Sequence, residues 1–211
     1  MSPGVDPIET QAALDALRNA MNAYHPLADS TWRALAAACK YRLLARGEVL
    51  YGAGVIPSTF AFVFQGLLRS YITDDKGNEY NKVFFAENRF PGSMVALLTS
   101  SPSRFTVDAL EQSFVVEIEF KTFRHLLQEH HDLALYQIQY LEHNWLLSKE
   151  PREVSLVQED AGQRYQRFLT ENPGLSERIP QYHIASHLGI TPTQLSRIRR
   201  QRAQQNPQSD T

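Results

Sequence analysis

Cys39 is the single cysteine in 211 residues. That excludes a disulfide framework within the chain and any all-cysteine zinc or iron–sulfur site, because each needs several thiolates around one centre. A reducing compartment is implied. Long apolar runs are missing as well. The one uncharged stretch of membrane-spanning length, residues 49–68, is interrupted by Gly52, Gly54, Pro57, Ser58, Thr59, Gln65 and Gly66, so it reads as punctuated β-structure and no membrane partner is expected. Asp6, Glu9 and Asp15 occupy the start of the chain, where a secretory signal would place a basic cluster and an apolar run, and a cytoplasmic location is expected. Catalytic signatures are equally scarce. His183 and His187 have the i, i+4 spacing of zinc hydrolases, but the general-base Glu of H-E-x-x-H is replaced by Ile184 and no third ligand is evident. His125, His130 and His131 read as a solvated cluster, and no G-x-S-x-G setting exists for a serine nucleophile. Neither a metal centre nor an enzyme is expected.

What the chain does have is core material: 43% of its residues are hydrophobic and 10% aromatic. At about 100–200 residues per domain, the length suits one large domain or two small ones. Residues 8–40 are rich in alanine and leucine at helical spacing, with Asp29 or Ser30 as a candidate N-cap for a second helix. From Leu43 to Ile118, short runs of Val, Phe, Tyr and Ile alternate with turn residues, the cadence of an antiparallel barrel or roll. Its clearest hairpin pairs Leu67–Thr73 with Glu79–Phe85, Gly77 supplying the positive φ of the turn.

Helices take over from Lys121. The stretch Asp132–Lys149, about 27 Å long as a helix, carries Ala134, Ile138, Leu141, Trp145 and Ser148 at alternating steps of four and three, a short coiled-coil seam. A second apolar set, Leu133, Tyr136, Tyr140 and Leu147, lies on a neighbouring face and suits packing on the β-unit. Pro151 disturbs this helix, another runs Glu159–Thr170, and the tail from Gln201 is expected to fray.

Charge is unevenly spread. Residues 178–211 hold five arginines and one acid, a net +4, which leaves −6 for residues 1–177. Within this basic end lies the most specific pattern in the chain. Ala185 is small where two helices would cross, Gly189 sits at a sharp turn, and Ile184, Leu188, Ile190, Leu195 and Ile198 are apolar where the helices would pack. Thr191 fits an N-cap and Pro192 a first helical residue. This is the helix-turn-helix pattern; the bland alternative is an ordinary αα-hairpin with a basic end. The second helix presents Pro192, Thr193, Gln194, Ser196, Arg197 and Arg200 outward. Arg197 is the expected base reader, with Thr191 and Gln194 placed for phosphates.

Taken with the preceding β-zone and seam, the run Arg164, Tyr165, Phe168, Leu169, Pro173, Leu175, Arg178, Ile179, Pro180, Ile184 to Ile198 resembles the Crp/Fnr superfamily of transcription regulators. The resemblance implies an α+β chain in three parts. Residues 1–130 form a double-stranded antiparallel β-roll with flanking helices, a cyclic-nucleotide-binding-like jelly roll. Residues 131–150 form a long dimerisation helix. Residues 151–211 form a helix-turn-helix, winged-helix-like domain. It also implies a homodimer on palindromic double-stranded DNA, with RNA polymerase as a further partner. The nucleotide-binding members use a Gly-Glu pair for the ribose and an Arg-Ser/Thr-Ala run for the phosphate. Here Ser93 comes after Gly92 and the later run reads Arg104-Phe105-Thr106, so both anchors depart from the pattern. Gly92, Ser93, Arg104, Phe105 and Thr106 are the candidate effector pocket, no cofactor is expected, and cyclic AMP is disfavoured as ligand. A ligand sensor that acts through protein partners without DNA is the alternative function.

Overall fold

The computed structural model describes residues 7–147, 149 and 158–205. Among these, seven strands form two antiparallel sheets. One sheet has the order β1 (Cys39–Leu44), β7 (Ser113–Glu119), β3 (Thr59–Gln65); the other has the order β2 (Val49–Tyr51), β6 (Thr106–Ala109), β4 (Leu68–Thr73), β5 (Glu79–Phe85). The expected hairpin is β4–β5, with Thr73 opposite Glu79 and Gly77 at φ 83°.

Alternation along the strands makes the roll. On β3, Phe60 and Phe62 point to the helices while Ala61 and Val63 point between the sheets; on β7, Phe114, Val116 and Ile118 join the first set and Val115 the second. Helices α1 (Pro7–Asn22), α2 (Asp29–Ala36), α4 (Phe120–Glu129) and α5 (His131–Leu141) cover the aromatic face through Leu17, Met21, Trp32, Leu35, Phe123, Leu126, Leu133 and Tyr136. A side chain buried as fully as Phe62 contributes roughly 1.5–3 kcal/mol. The tight β3–β4 turn depends on Gly66 at φ 105°, where a Cβ would lie 2.6 Å from the Ser113 backbone.

The expected cap of α2 is not its own. Ala28 is the N-cap, and Asp132 at the start of α5 accepts the Ala28 N–H at 2.8 Å and the Thr31 hydroxyl at 2.9 Å. Asp29 instead pairs with Arg18 at 2.6 Å. A carboxylate from a distant helix thus satisfies the orphan amide and ties α2 to α5.

After α5 the chain makes a π-turn, Glu142–Leu146, where an uninterrupted helix was expected. Each π-turn adds a residue to the helical circuit and rotates the residues beyond it. Leu133 and Tyr136 are buried on the roll as expected, but Leu147 is carried away from it and is 65% exposed. Ile138, Leu141, Trp145 and Leu146 are exposed as well, Ala134 is half-buried, and Ser148 and Pro151 lie outside the described residues.

The C-terminal unit comprises α6 (Ala161–Glu171), α7 (Leu175–Arg178), α8 (Gln181–Leu188) and α9 (Pro192–Gln205). Asp160 and Gln163 close a reciprocal capping box on α6, so this helix starts two residues later than Glu159. The expected wing is not found among the described residues, and the expected fraying from Gln201 gives way to helix as far as Gln205. The unit is docked on the roll: Leu67 and Phe84 share one apolar cluster with Tyr165, Phe168, Leu175, Ile179, Ile184 and Leu195.

Candidate nucleic-acid interface and sensor site

The turn between α8 and α9 is built as the sequence pattern requires. Gly189 adopts φ 67°, a left-handed conformation that ends α8, and the Ile190 N–H returns to the Ala185 carbonyl at 3.0 Å. Thr191 and Gln194 then cap α9 reciprocally: Gln194 N–H donates to Thr191 Oγ1 at 3.2 Å, and Thr191 N–H donates to Gln194 Oε1 at 2.8 Å. The two residues expected to bind phosphates are therefore first of all helix caps, and Gln194 keeps its amide nitrogen for any outside partner. Ala185 and Leu195 are fully buried and Ile198 is half-buried against the same cluster, which fixes the inner side of α9.

The other side is free. Thr193, Ser196, Arg197 and Arg200 are all exposed and keep the i, i+3, i+4, i+7 spacing of one helix face, opposite Leu195 and Ile198. Pro192 and Gln194 are exposed beside this stripe. Four arginines and no acid occupy α9. Arg178, counted in the same basic end, is committed elsewhere. Its guanidinium pairs with Glu87 at 2.9 Å and Glu111 at 2.6 Å on the roll, and these bonds hold its proton affinity above the ordinary arginine value. The surplus charge of the C-terminal segment is thus concentrated on α9.

Helix α8 lies between two surfaces. Ile184, Ala185 and Leu188 face the apolar cluster of the C-terminal unit, whereas His183, Ser186 and His187 face strand β5. Behind them lies a charged site that periodicity could not reveal. Arg69 of β4, with a side chain only 6% exposed, donates through Nε and Nη2 to both oxygens of Asp108 on β6, at 2.8 and 3.0 Å. Its Nη1 reaches Glu79 Oε2 at 2.6 Å, Asn81 Oδ1 at 3.2 Å and His183 Nδ1 at 2.9 Å. A guanidinium can only donate, so His183 Nδ1 is the acceptor and the ring is the neutral Nε2–H tautomer. Burial first, and the Arg69 charge second, push the His183 proton affinity down to about 4. His187 Nδ1 donates to the Asn81 carbonyl at 3.2 Å, and its ring packs against Phe84 and Phe168. The two histidines with metal-hydrolase spacing are interface residues between roll and hairpin. Among the described residues no cluster suited to a metal ion occurs.

The candidate effector residues are distributed over both sheets. Gly92 is pressed against β3, where a Cβ would come within 2.9 Å of Phe60 Cβ, and Ser93 begins the short helix α3 (Met94–Thr99). Arg104, Phe105 and Thr106 lead into β6 of the other sheet. Arg104 is exposed; Phe105 is half-buried with Lys82 Nζ 4.2 Å from its ring centre; Thr106 Oγ1 accepts the Ala53 N–H at 3.2 Å. Phe105 and Thr106 thus already hold local partners, and Gly92 serves the close approach to β3.

Residues 41–130 match the cyclic nucleotide-binding domain family. In three dimensions the chain is similar to FixK2 from Bradyrhizobium japonicum, at a TM-score of 0.67 and 19% identity over 80% of this chain and 86% of that one. It is similar to the c-di-GMP-responsive global regulator CLP of Xanthomonas campestris, at 0.65 and 17% over 85% and 93%. The catabolite activator protein of Thermus thermophilus is similar at 0.51 and 20%, over 87% of each chain. No curated protein matches the sequence. The resemblance drawn from the sequence is borne out at the level of the fold, since these structural neighbours are Crp/Fnr-family regulators. Among the described residues no helix is long and apolar enough to cross a membrane.

Proposed function

We propose that this chain, with its cyclic nucleotide-binding roll and Crp/Fnr-like fold, is a homodimeric transcription regulator that reads double-stranded DNA through α9. The observation that carries this reading is the exposed stripe Thr193, Ser196, Arg197 and Arg200, on a helix with four arginines and no acid whose opposite side is fixed in an apolar core. Arginine reads guanine bidentately in the major groove, and a rigid helix presents it at constant depth. Arg197 is the base reader, and Arg199 and Arg200 strengthen attraction to the phosphates. The cap residues Thr191 and Gln194 hold the first turn of α9 and leave the Gln194 amide to meet the backbone of the duplex.

The exposed apolar residues of α5 and the π-turn, Ile138, Leu141 and Trp145 together with the half-buried Ala134, form the dimer seam; Ser148, the last residue of the expected heptad spacing, lies outside the described residues. Two such chains set their reading helices about 34 Å apart, so the operator is a near-palindrome. The working division is a sensor over residues 1–130, a dimer helix over 131–150 and a DNA-reading unit over 151–211, active in the cytoplasm beside RNA polymerase. The effector of the roll, in this reading, is not cyclic AMP held by the usual anchors, since Ser93 replaces the ribose-binding acid and Arg104 is exposed.

Selection of duplexes from a random pool by the purified chain tests the reading. A palindromic consensus is expected, with binding that weakens linearly in log affinity against log salt. Sedimentation should give a dimer, and calorimetry with cyclic AMP no heat. Recovery of no enriched duplex, or a chain that stays monomeric with and without DNA, would overturn it.

A further inference from the structure

We propose that Arg69 is a positioning residue for DNA reading: its latch onto α8 fixes the orientation of α9 on the roll, and so sets the half-site spacing that the dimer accepts. This rests on α9 being the DNA reader. The five bonds of Arg69 join β4, on which it sits, to Asp108 of β6, to Glu79 and Asn81 of β5, and to His183 of α8. Asn81 doubles the contact by donating to both Nδ1 and the carbonyl of His183, at 3.2 and 3.1 Å. Ser186, one turn on, accepts the Asn81 N–H at 3.1 Å and donates to the Glu79 carbonyl at 2.6 Å. An apolar contact tolerates sliding, but a planar donor fork inside a buried site admits essentially one arrangement of its acceptors. The docked apolar cluster therefore supplies adhesion, and the Arg69 site supplies register.

From α8 the register passes to α9 with little freedom. Gly189 and the Thr191–Gln194 box make the connection short and fully bonded, and Leu195 is wedged beneath α8. A rotation of α8 on the sheet is thus a rotation of the arginine stripe. Asp108 also ties the latch to the roll interior, because its neighbours Val107 and Ala109 on β6 point between the sheets. A displacement of β6 from inside the roll would move the carboxylate that holds Arg69.

The test uses the full chain and the duplex recovered by selection, with derivatives carrying one base pair more or fewer between the half-sites. Wild type should lose about tenfold in affinity on each altered spacing, a loss the size of ordinary coupling within one network. Arg69→Met should lose less than about threefold on the same change, with affinity for a single half-site unaltered. His183→Gln, which keeps a side-chain acceptor for Arg69, should behave as wild type. Hydrogen exchange without DNA provides a second reading: amides of residues 181–188 should exchange at least about tenfold faster in Arg69→Met while those of β3 and β7 stay protected. If β3 and β7 also loosen, Asn81→Ala takes its place, since it cuts both Asn81 bonds to His183 and leaves the Asp108 pair intact. Retention of full spacing discrimination, or unchanged protection of α8, overturns the proposal. Failure of wild type to select any duplex overturns DNA reading instead, and the exchange comparison still decides whether the latch holds α8.

Discussion

The two helices of the C-terminal hairpin are neighbours in sequence and opposites in environment. Helix α8 has apolar contacts on one side and a polar, fully partnered contact with β5 and Arg69 on the other; α9 has one buried edge and a free basic stripe. Arginine makes the same contrast visible at single residues. Arg69 is buried and spends its donors on Asp108, Glu79, Asn81 and His183, whereas Arg197 is exposed on the free stripe of α9. Polar residues on the first helix therefore serve docking, and the exposed stripe on the second is the surface proposed for recognition. Helical periodicity alone cannot separate the two roles, because both helices show the same apolar stripe.

The contrast is most severely disrupted at the residue the helices share. Leu195→Ala should cost about 2–5 kcal/mol, because the side chain is fully buried between them and its removal leaves a cavity; chemical denaturation of the full chain would measure it. Acid should act next, with His183 of α8 as its first target. Undocked, His183 takes up a proton below about pH 6.5, but docked it resists protonation down to about 4. The docked form is therefore fully stable above about pH 6.5 and loses stability as pH falls toward 4, by at most roughly 3 kcal/mol. Facing His183 are Arg69 and Arg46, which oppose its protonation, Glu79 and Asp108, which favour it, and the amide of Asn81 and ring of Tyr182. His183→Gln should flatten this part of the pH profile, as followed by hydrogen exchange in α8.

Smaller effects refine the contrast from the side of α9. Arg197→Ala should remove about 1–3 kcal/mol of discrimination at one base pair of the operator and leave the melting temperature unchanged, a pairing that no α8 substitution should reproduce. Thr191→Ala should cost about 1 kcal/mol of stability through the lost cap, with a modest parallel loss of DNA affinity as the first turn of α9 frays. Thermal melts beside mobility shifts would separate the two.

Much of this arrangement is legible along the chain. The hairpin at Gly77, the turn at Gly189 and the cap at Thr191 are local, since backbone sterics and short-range hydrogen bonds decide them and those are written in a few adjacent residues. Alternating Phe60 and Phe62 with Ala61 and Val63 likewise announces a strand with two buried faces. Other features required the fold. The π-turn at Glu142–Leu146 moved Leu147 from the roll to the solvent-facing side, and a heptad count cannot register one extra residue in a turn. The cap of α2 came from Asp132, 104 residues away from the amide it holds. Arg178 looked like part of the basic end until Glu87 and Glu111 appeared beside it.

Arg69 gave only a faint sign, as the one charge among the uncharged residues Leu67, Leu68, Ser70, Tyr71 and Ile72. Nothing local could say whether that charge faced water, a ligand or another helix. The order of residues was enough to set the elements and faces that propensity, turn chemistry and apolar spacing decide within a few positions, the β4–β5 hairpin and the α8–α9 turn among them. Which polar groups meet across those faces depended on packing in three dimensions. A buried charge takes whichever partners that packing brings within about 3 Å, and for Arg69 these came from β5, β6 and a helix more than 110 residues further on.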